Sequence, residues 1–101
     1  MQPIIYHVTT KKEWASAQIS GYYKATSLAT EGFIHCSTAE QVNGVLERYF
    51  KGQTNLVKLV IDTIKLAPEL KYELAPSINE YFPHIYGEIN IDAVIDIVEM
   101  D

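Results

Sequence analysis

Cysteine, arginine and long apolar runs are scarce or absent in this sequence of 101 residues. The single cysteine, Cys36, excludes an intrachain disulfide and is typical of proteins from a reducing compartment. No stretch approaches the roughly 18 consecutive apolar residues of a membrane span, and the N-terminal residues lack the pattern of a secretory leader. These absences predict a cytoplasmic protein that does not enter a membrane.

Positive charge is scarce as well. Eight basic residues stand against thirteen acidic ones, which gives a formal net charge of −5. A surface of this sign does not attract a polyanion, so nucleic acid is not expected as a partner. Arg48 is the only arginine, and the two-point capture of phosphate or carboxylate that arginine provides is therefore nearly absent.

The length and the absence of repeats or linkers predict one domain over residues 1–101. Strand-like and helix-like patterns follow one another in the order strand, helix, strand, helix, and then several strands. This order favours an α+β fold with two helices and a split, mostly antiparallel sheet.

Two capping-box sequences predict where the helices begin. Residues 10–13 (TKKE) start a helix near Lys11 that ends before Gly21, and residues 38–41 (TAEQ) start a second helix that ends at Gly52. Apolar residues follow the second capping box at helical spacing, namely Val42, Val45, Leu46, Tyr49 and Phe50.

Alternating or continuous apolar runs predict the strands, with the run at 56–61 at the centre of the sheet. The predicted strands are residues 4–8, 33–37, 56–61, 70–74 and 89–98. Turn-forming residues predict loops at 21–32, with one short strand inside it, and at 76–83.

Each of the three histidines stands two residues before a hydroxyl side chain. The pairs are His7 and Thr9, His35 and Ser37, and His84 and Tyr86. Alternate residues of a strand share a face, so each pair presents an imidazole and a hydroxyl on one side. We expect the three pairs to line one polar cleft; otherwise each histidine is a half-buried strand residue bonded to its neighbour.

Four chemical interpretations of this set remain open. A zinc site would use three histidines, but no HxH or HxxxH spacing supports it, so no metal is expected. A thiol nucleophile would pair Cys36 with His7 or His35, although strand alternation points Cys36 to the core. The third is a nucleotide or sugar-like ligand held by imidazoles, hydroxyls and stacking tyrosines, and the fourth is a contact surface that binds no small molecule.

Three segments resemble the bacterial family called domain of unknown function 952: IIYHVTTKKEWASA, TSLATEGFIHCSTAEQV and YFPHIYGEI. The resemblance covers nearly the whole chain, and its most specific piece is GFIHCS at residues 32–37. That family is grouped with the ADP-ribosyltransferase-like fold, in which a split sheet opens a cleft for NAD. RNA 2′-phosphotransferases are implied as functional relatives.

The resemblance implies an NAD-dependent ADP-ribosyl- or phospho-transferase-like enzyme, with a non-catalytic nucleotide- or peptide-binding module as the alternative. By that analogy the catalytic residues are His35, His84 and Glu88. The residues that bind the nucleotide-like ligand are His7, Thr9, Tyr22, Tyr23, Ser27, Ser37 and Tyr86. Two features depart from the active relatives: the arginines that hold the 2′-phosphate are missing, and Gly87 interrupts the strand before Glu88.

Overall fold

The computed structural model describes residues 3–100. Within them the chain forms a mixed α+β structure in which every paired strand is antiparallel to its neighbour. The strands are β1 (Ile4–Thr10), β2 (Tyr22–Tyr23), β3 (Ile34–His35), β4 (Leu56–Asp62), β5 (Glu69–Ala75), β6 (Glu80–Tyr86), β7 (Ile89–Asn90) and β8 (Val94–Glu99). The helices are α1 (Lys11–Ser20), α2 (Thr26–Glu31) and α3 (Val42–Tyr49), with a 3₁₀ turn at Ile91–Ala93.

The first sheet has the order β1-β4-β8 and is built around the most apolar run of the chain. β4 lies at its centre, as its near-continuous apolar sequence predicts, and Leu59 and Ile61 are fully buried. β1 runs beside β4 from the pair Ile4 and Asp62 to the pair Thr10 and Leu56. No helix of residues 3–100 is long and apolar enough to cross a membrane.

A second sheet, of order β3-β6-β5, meets the first through one isolated bridge. The Tyr6 N–H donates to the Ser37 carbonyl at 2.8 Å, and the Ser37 N–H donates to the Tyr6 carbonyl at 2.7 Å. β2 and β7 form a separate pair. The bridge places β3 directly beside β1, which brings two of the histidine-bearing strands together.

The main apolar core lies between the sheets and α1. It includes Ile5, Trp14, Ala17, Tyr23, Ile34, Cys36, Leu59, Ile61, Ile85 and Ile89. A smaller cluster of Val8, Val42 and Leu56 packs beneath α3. Buried apolar area of this kind is the main favourable term in folding, and here it also fixes the strands that carry the polar site.

Both predicted helices are present, and α1 begins where its capping box predicts. The Thr10 hydroxyl accepts a hydrogen bond from the Glu13 N–H at 3.0 Å, and Gly21 ends the helix in the left-handed region with φ of 92°. α3 begins later than expected, at Val42. The Gln41 side chain accepts a hydrogen bond from the Thr38 N–H at 3.0 Å, so residues 38–41 form the turn that precedes the helix.

The short strand expected within residues 21–32 is present as β2, but the prediction of a loop for the rest of the segment is wrong, because it contains a third helix, α2. α2 has six residues and no side-chain cap, so the usual sequence signals of a helix start are missing. It ends at Gly32, whose φ is 89°, and only Leu28 of the helix packs on the main core.

The prediction of a loop over residues 76–83 is also wrong, because β6 begins at Glu80 and is the central strand of its sheet. Proline is normally confined to sheet edges, since it lacks an N–H donor. The Pro83 carbonyl accepts from the Cys36 N–H at 3.0 Å, so its nitrogen faces the same side, where β3 has already ended at His35. Proline cannot return a bond to the Cys36 carbonyl, so the regular pairing of β6 with β3 ends at this point.

The segment 89–98 is two strands rather than one. β7 pairs with β2, and β8 pairs with β4 in another sheet. The Asn90 side chain turns the chain between them by accepting from the Ala67 N–H at 2.8 Å and donating to the Lys65 carbonyl at 2.9 Å. The apolar residues alternate loosely over the whole segment, so the sequence gives no signal of the turn between the two strands.

Candidate functional site

A cavity of about 710 Å³ opens between the two main sheets, and all three histidines line it. We call it the histidine cavity. Its polar and aromatic lining comprises His7, Thr9, Glu13, Tyr23, Thr26, Ser27, Glu31, Phe33, His35, Ser37, Tyr49, Phe50, Phe82 and His84. Among the described residues, no lysine or arginine lines it.

Strand register brings the histidines together. His35 and His84 are direct partners across β3 and β6, and their ring centroids are 5.2 Å apart. The His7 Nδ1–H donates to the His35 backbone carbonyl at 2.6 Å. The three imidazoles are therefore neighbours, which their wide separation in the sequence could not show.

His7 is the buried member of the set, at 8% exposure. Both of its ring nitrogens are bonded, Nδ1 to the His35 carbonyl and Nε2 to the Tyr23 hydroxyl at 2.8 Å. Burial lowers the pKa of His7 from 6.5 to about 4, because an imidazolium ion loses its hydration there. At neutral pH this histidine is uncharged and makes its polar contacts inside the protein.

A row of hydrogen bonds continues from His7 to the cavity wall. The Tyr23 hydroxyl lies 2.9 Å from the Thr9 hydroxyl, which donates to the Glu13 carboxylate at 2.8 Å. Burial raises the pKa of Tyr23, so its hydroxyl keeps its proton. Tyr23 is 2% exposed and offers no ring face for stacking on a ligand.

His84 has a different environment. Its Nδ1–H donates to the Glu73 carboxylate at 2.8 Å, and the same oxygen accepts a hydrogen bond from the Tyr86 hydroxyl. Those two bonds lower the pKa of Glu73, with the Tyr86 contribution the larger. The Phe33 ring stacks on the His84 imidazole at 4.1 Å between centroids and 17° between planes.

His84 lines the cavity, and its second nitrogen, Nε2, makes no hydrogen bond to any residue of 3–100 and keeps access to solvent. An imidazole fixed by a carboxylate on one nitrogen and open on the other can accept or donate a proton at the open nitrogen.

His35 lies at the rim of the cavity and is exposed. Its Nε2 is 3.2 Å from a Glu31 carboxylate oxygen at the end of α2. The edge of the Phe33 ring lies against His35 at 4.9 Å between centroids. Phe33 therefore contacts both His35 and His84 and fixes their separation.

Seven residues of the sequence-predicted site line the cavity, namely His7, Thr9, Tyr23, Ser27, His35, Ser37 and His84. Three do not line it. Tyr22 of β2 is exposed, and the Tyr86 hydroxyl donates a hydrogen bond to the Glu73 carboxylate. Glu88 is at the surface, 3.9 Å from the Lys24 ammonium.

Four residues of the site were missed from the sequence: Glu13, Glu31, Phe33 and Glu73. The spacing of four residues between Thr9 and Glu13 and between Glu31 and His35 was an available signal. The capping box explains Glu13 as a helix-start residue, and Glu31 lies in the segment that the sequence predicts to be a loop. Glu73 had no sequence signal, since only the β5–β6 pairing brings it to His84.

Two of the chemical alternatives find no support in the geometry. Cys36 is buried, and burial raises the pKa of its thiol, which leaves a weak nucleophile in the core. Within residues 3–100, no three side chains of the histidine, cysteine, aspartate or glutamate type are grouped to hold a metal ion.

The family described as a protein of unknown function (DUF952) has a model that matches residues 8–97. The chain belongs to this family. No curated protein matches the sequence. The family assignment confirms that part of the resemblance, and it brings no established activity.

Solved structures of protein CC0527 from Caulobacter crescentus are similar to this chain. An X-ray structure is 30% identical, covers 97% of this chain and 86% of its own, and superposes with a TM-score of 0.88. A solution NMR structure of the same protein is 30% identical, covers 99% and 86%, and gives a TM-score of 0.84. The α+β fold is thus shared across the length of the chain.

Proposed function

We propose that the protein is an enzyme that transfers protons on a small, ring-bearing ligand of nucleoside type in the histidine cavity. The observation that carries the proposal is His84, held at Nδ1 by Glu73 and open to the cavity at Nε2. A base oriented by a third group is the usual arrangement of general acid–base catalysis.

The lining supports a ligand that is neutral or positively charged. Glu13 and Glu31 are the charged side chains of the described lining apart from histidine. Phe33 and Tyr49 provide ring surfaces, and hydroxyls such as Ser37 suit sugar oxygens. The cavity volume of about 710 Å³ is within the range of roughly 300–1,000 Å³ for small-molecule sites.

In this proposal His84 Nε2 takes a proton from a ligand hydroxyl or from water. The resulting imidazolium is stabilised by Glu73, whose lowered pKa keeps the carboxylate ionised. His35, 5.2 Å away between ring centroids, is placed to donate or accept a second proton at the rim. Two imidazoles at this distance suit a reaction in which one proton leaves and another is returned.

The narrower proposal is NAD as co-substrate, in an ADP-ribosyltransferase-like fold related to the RNA 2′-phosphotransferases. The lining fits the nicotinamide and ribose of NAD, because aromatic rings and carboxylates suit a cationic ring and its sugar. It does not fit the diphosphate, since no lysine or arginine lines the described cavity. NAD-dependent transfer is therefore proposed from the resemblance alone.

The test uses nicotinamide riboside, adenosine, NAD and ADP-ribose, with thermal shift for binding and chromatography for released base. We expect nicotinamide riboside or adenosine to stabilise the protein and to be converted. His84→Gln should lower the rate at least about 100-fold, because a positioned acid–base group contributes roughly 10²–10⁴. Glu73→Gln should lower it less, since the imidazole stays in place.

Tyr81→Phe is the matched control, because Tyr81 is exposed on the same strand as His84 and does not line the cavity. Stabilisation of the protein without conversion of the compound would contradict the enzyme and favour a non-catalytic nucleotide-binding module. Release of nicotinamide from NAD would support the narrower proposal. No stabilisation by any of the four compounds at millimolar concentration would contradict both.

A further inference from the structure

Four hydrogen-bond contacts form a row from the His35 backbone carbonyl through the buried base His7 to the exposed acid Glu13. They run from the His35 carbonyl to His7 Nδ1 (2.6 Å), and from His7 Nε2 to the Tyr23 hydroxyl (2.8 Å). They continue to the Thr9 hydroxyl (2.9 Å) and the Glu13 carboxylate (2.8 Å). All four side chains of the row line the cavity, and the row passes from the buried His7 to the exposed Glu13.

The hydrogens of this row can be counted. The His35 carbonyl only accepts, so His7 Nδ1 must carry a hydrogen, and the Tyr23 and Thr9 hydroxyls bring one each. When His7 is neutral and Glu13 is ionised, the row therefore holds three hydrogens for its four contacts. With one added proton, each of the four contacts has a hydrogen.

We propose that Tyr23 and Thr9 form a relay that shares one proton between Glu13 at the cavity wall and the buried His7. A proton on Glu13 passes to the Thr9 oxygen, the Thr9 hydrogen passes to Tyr23, and the Tyr23 hydrogen passes to His7 Nε2. Each oxygen gives one hydrogen and receives one, so the only net change is the move of one proton from the carboxyl to the imidazole.

The surroundings of His7 act on a shared proton in opposite directions. Burial opposes an imidazolium ion most strongly, and the imidazole of His35 beside β1 also opposes it. The bond to the His35 carbonyl and the negative charge of Glu13, the one carboxylate in the row, favour the ion. Tyr23 of β2 and Cys36 after β3 keep their protons, because burial raises the pKa of both groups. The Tyr23 hydroxyl therefore carries the proton onward without becoming an ion.

The relay joins the cavity wall to the strand that carries His35. A proton that enters at Glu13 places charge on His7, and the His7 Nδ1–H holds the His35 backbone carbonyl. A charged donor makes a stronger hydrogen bond than a neutral one. The inference concerns the ligand-free protein, so it does not depend on the proposed reaction.

The test is an NMR titration of the ligand-free protein that follows the His7 ring nitrogens and the Glu13 carboxyl carbon. We expect both probes to report one common midpoint, with partial amplitudes that add up to one proton, as coupled sites do. In Tyr23→Phe, which keeps the ring and removes the hydroxyl, the two midpoints should separate by at least one pH unit.

Thr9→Val breaks the same row one step later and should give the same separation if Tyr23→Phe does not fold. Tyr81→Phe should keep the common midpoint. Different midpoints for His7 and Glu13 in the unmodified protein would overturn the relay. A common midpoint that survives both Tyr23→Phe and Thr9→Val would also overturn it, because the coupling would then not pass through these hydroxyls.

Discussion

At the residue scale, His7 and His84 show how one side chain acquires two roles from its surroundings. Both are 8% exposed, yet only His7 has both nitrogens bonded inside the protein. His84 has one nitrogen on a carboxylate and one open to the cavity. We infer that His7 is a positioning residue and that His84 carries the chemistry.

The pH dependence of stability tests the account of His7. Its folded pKa of about 4 is below the ordinary 6.5, so the unfolded chain binds more protons between these values and stability falls as pH drops from 6.5 to 4. The difference corresponds to a loss of about 3 kcal/mol in the free energy of unfolding. Urea unfolding at intervals from pH 7 to 4 measures it.

His7→Gln should lower stability at neutral pH and flatten the dependence in this window, because the titrating group is gone. Glu73 affects a lower range, since its pKa is lowered from 4.5. An equally steep loss between pH 6.5 and 4 in His7→Gln and in the unmodified protein would show that another group causes it.

At the element scale, short connections decide where the site residues lie. α2 ends at Gly32, and two of the three residues that follow, Phe33 and His35, line the cavity. The Ser27 hydroxyl donates to the Phe33 carbonyl at 2.8 Å and ties the helix to that turn. The turn therefore sets the position of the ring that contacts both His35 and His84.

A pair of glycine substitutions tests this turn. Gly32→Ala should cost about 1 kcal/mol of stability, because a φ of 89° disfavours a side chain. Gly44→Ala, inside α3, should gain up to about 1 kcal/mol, since alanine favours a helix and its Cβ meets only the flexible end of Arg48. Thermal unfolding measures both, and a gain for Gly32→Ala would contradict the account of the turn.

The sequence predicts α1, β4 and the antiparallel α+β class, because capping boxes and apolar runs are local signals. It does not predict α2, which has no side-chain cap, or β6, a central strand that contains Pro83 at the point where the pairing with β3 ends. The same-face pairing of each histidine with its hydroxyl is visible in the sequence. Glu73 is not, because only the sheet register brings it to His84.

At the scale of the whole molecule, the net charge is −5, and the cavity is lined by acidic rather than basic side chains. Apart from the histidines, the ionisable acids and bases in the lining of the described cavity are Glu13 and Glu31 with the buried Tyr23 and Cys36 and the tyrosine Tyr49, and no lysine or arginine is among them. A site of this charge attracts cations and repels phosphates, with a strength that falls as salt is added. The negative electrostatic potential of the site thus favours cationic or neutral ligands over phosphates.

Ligand charge tests this reading. We expect nicotinamide riboside, a cation, to bind more tightly than ADP-ribose, and its affinity to fall with salt. Glu31→Gln should weaken its binding about fivefold, which corresponds to about 1 kcal/mol for one partly exposed charge. Glu88→Gln is the matched comparison, because Glu88 lies outside the cavity beside Lys24. Titration calorimetry would contradict the reading if Glu88→Gln weakened binding more than Glu31→Gln.

The central claim, that the histidine cavity is the ligand site, is tested most directly by NMR of the three imidazoles during titration with nicotinamide riboside. We expect large saturable shifts of the His35 and His84 ring signals and a smaller shift of His7, whose nitrogens are already bonded. Residues of β8, on the far edge of the first sheet, should not move. Saturable shifts confined to β8, or no imidazole shift at a concentration that stabilises the protein, would contradict it.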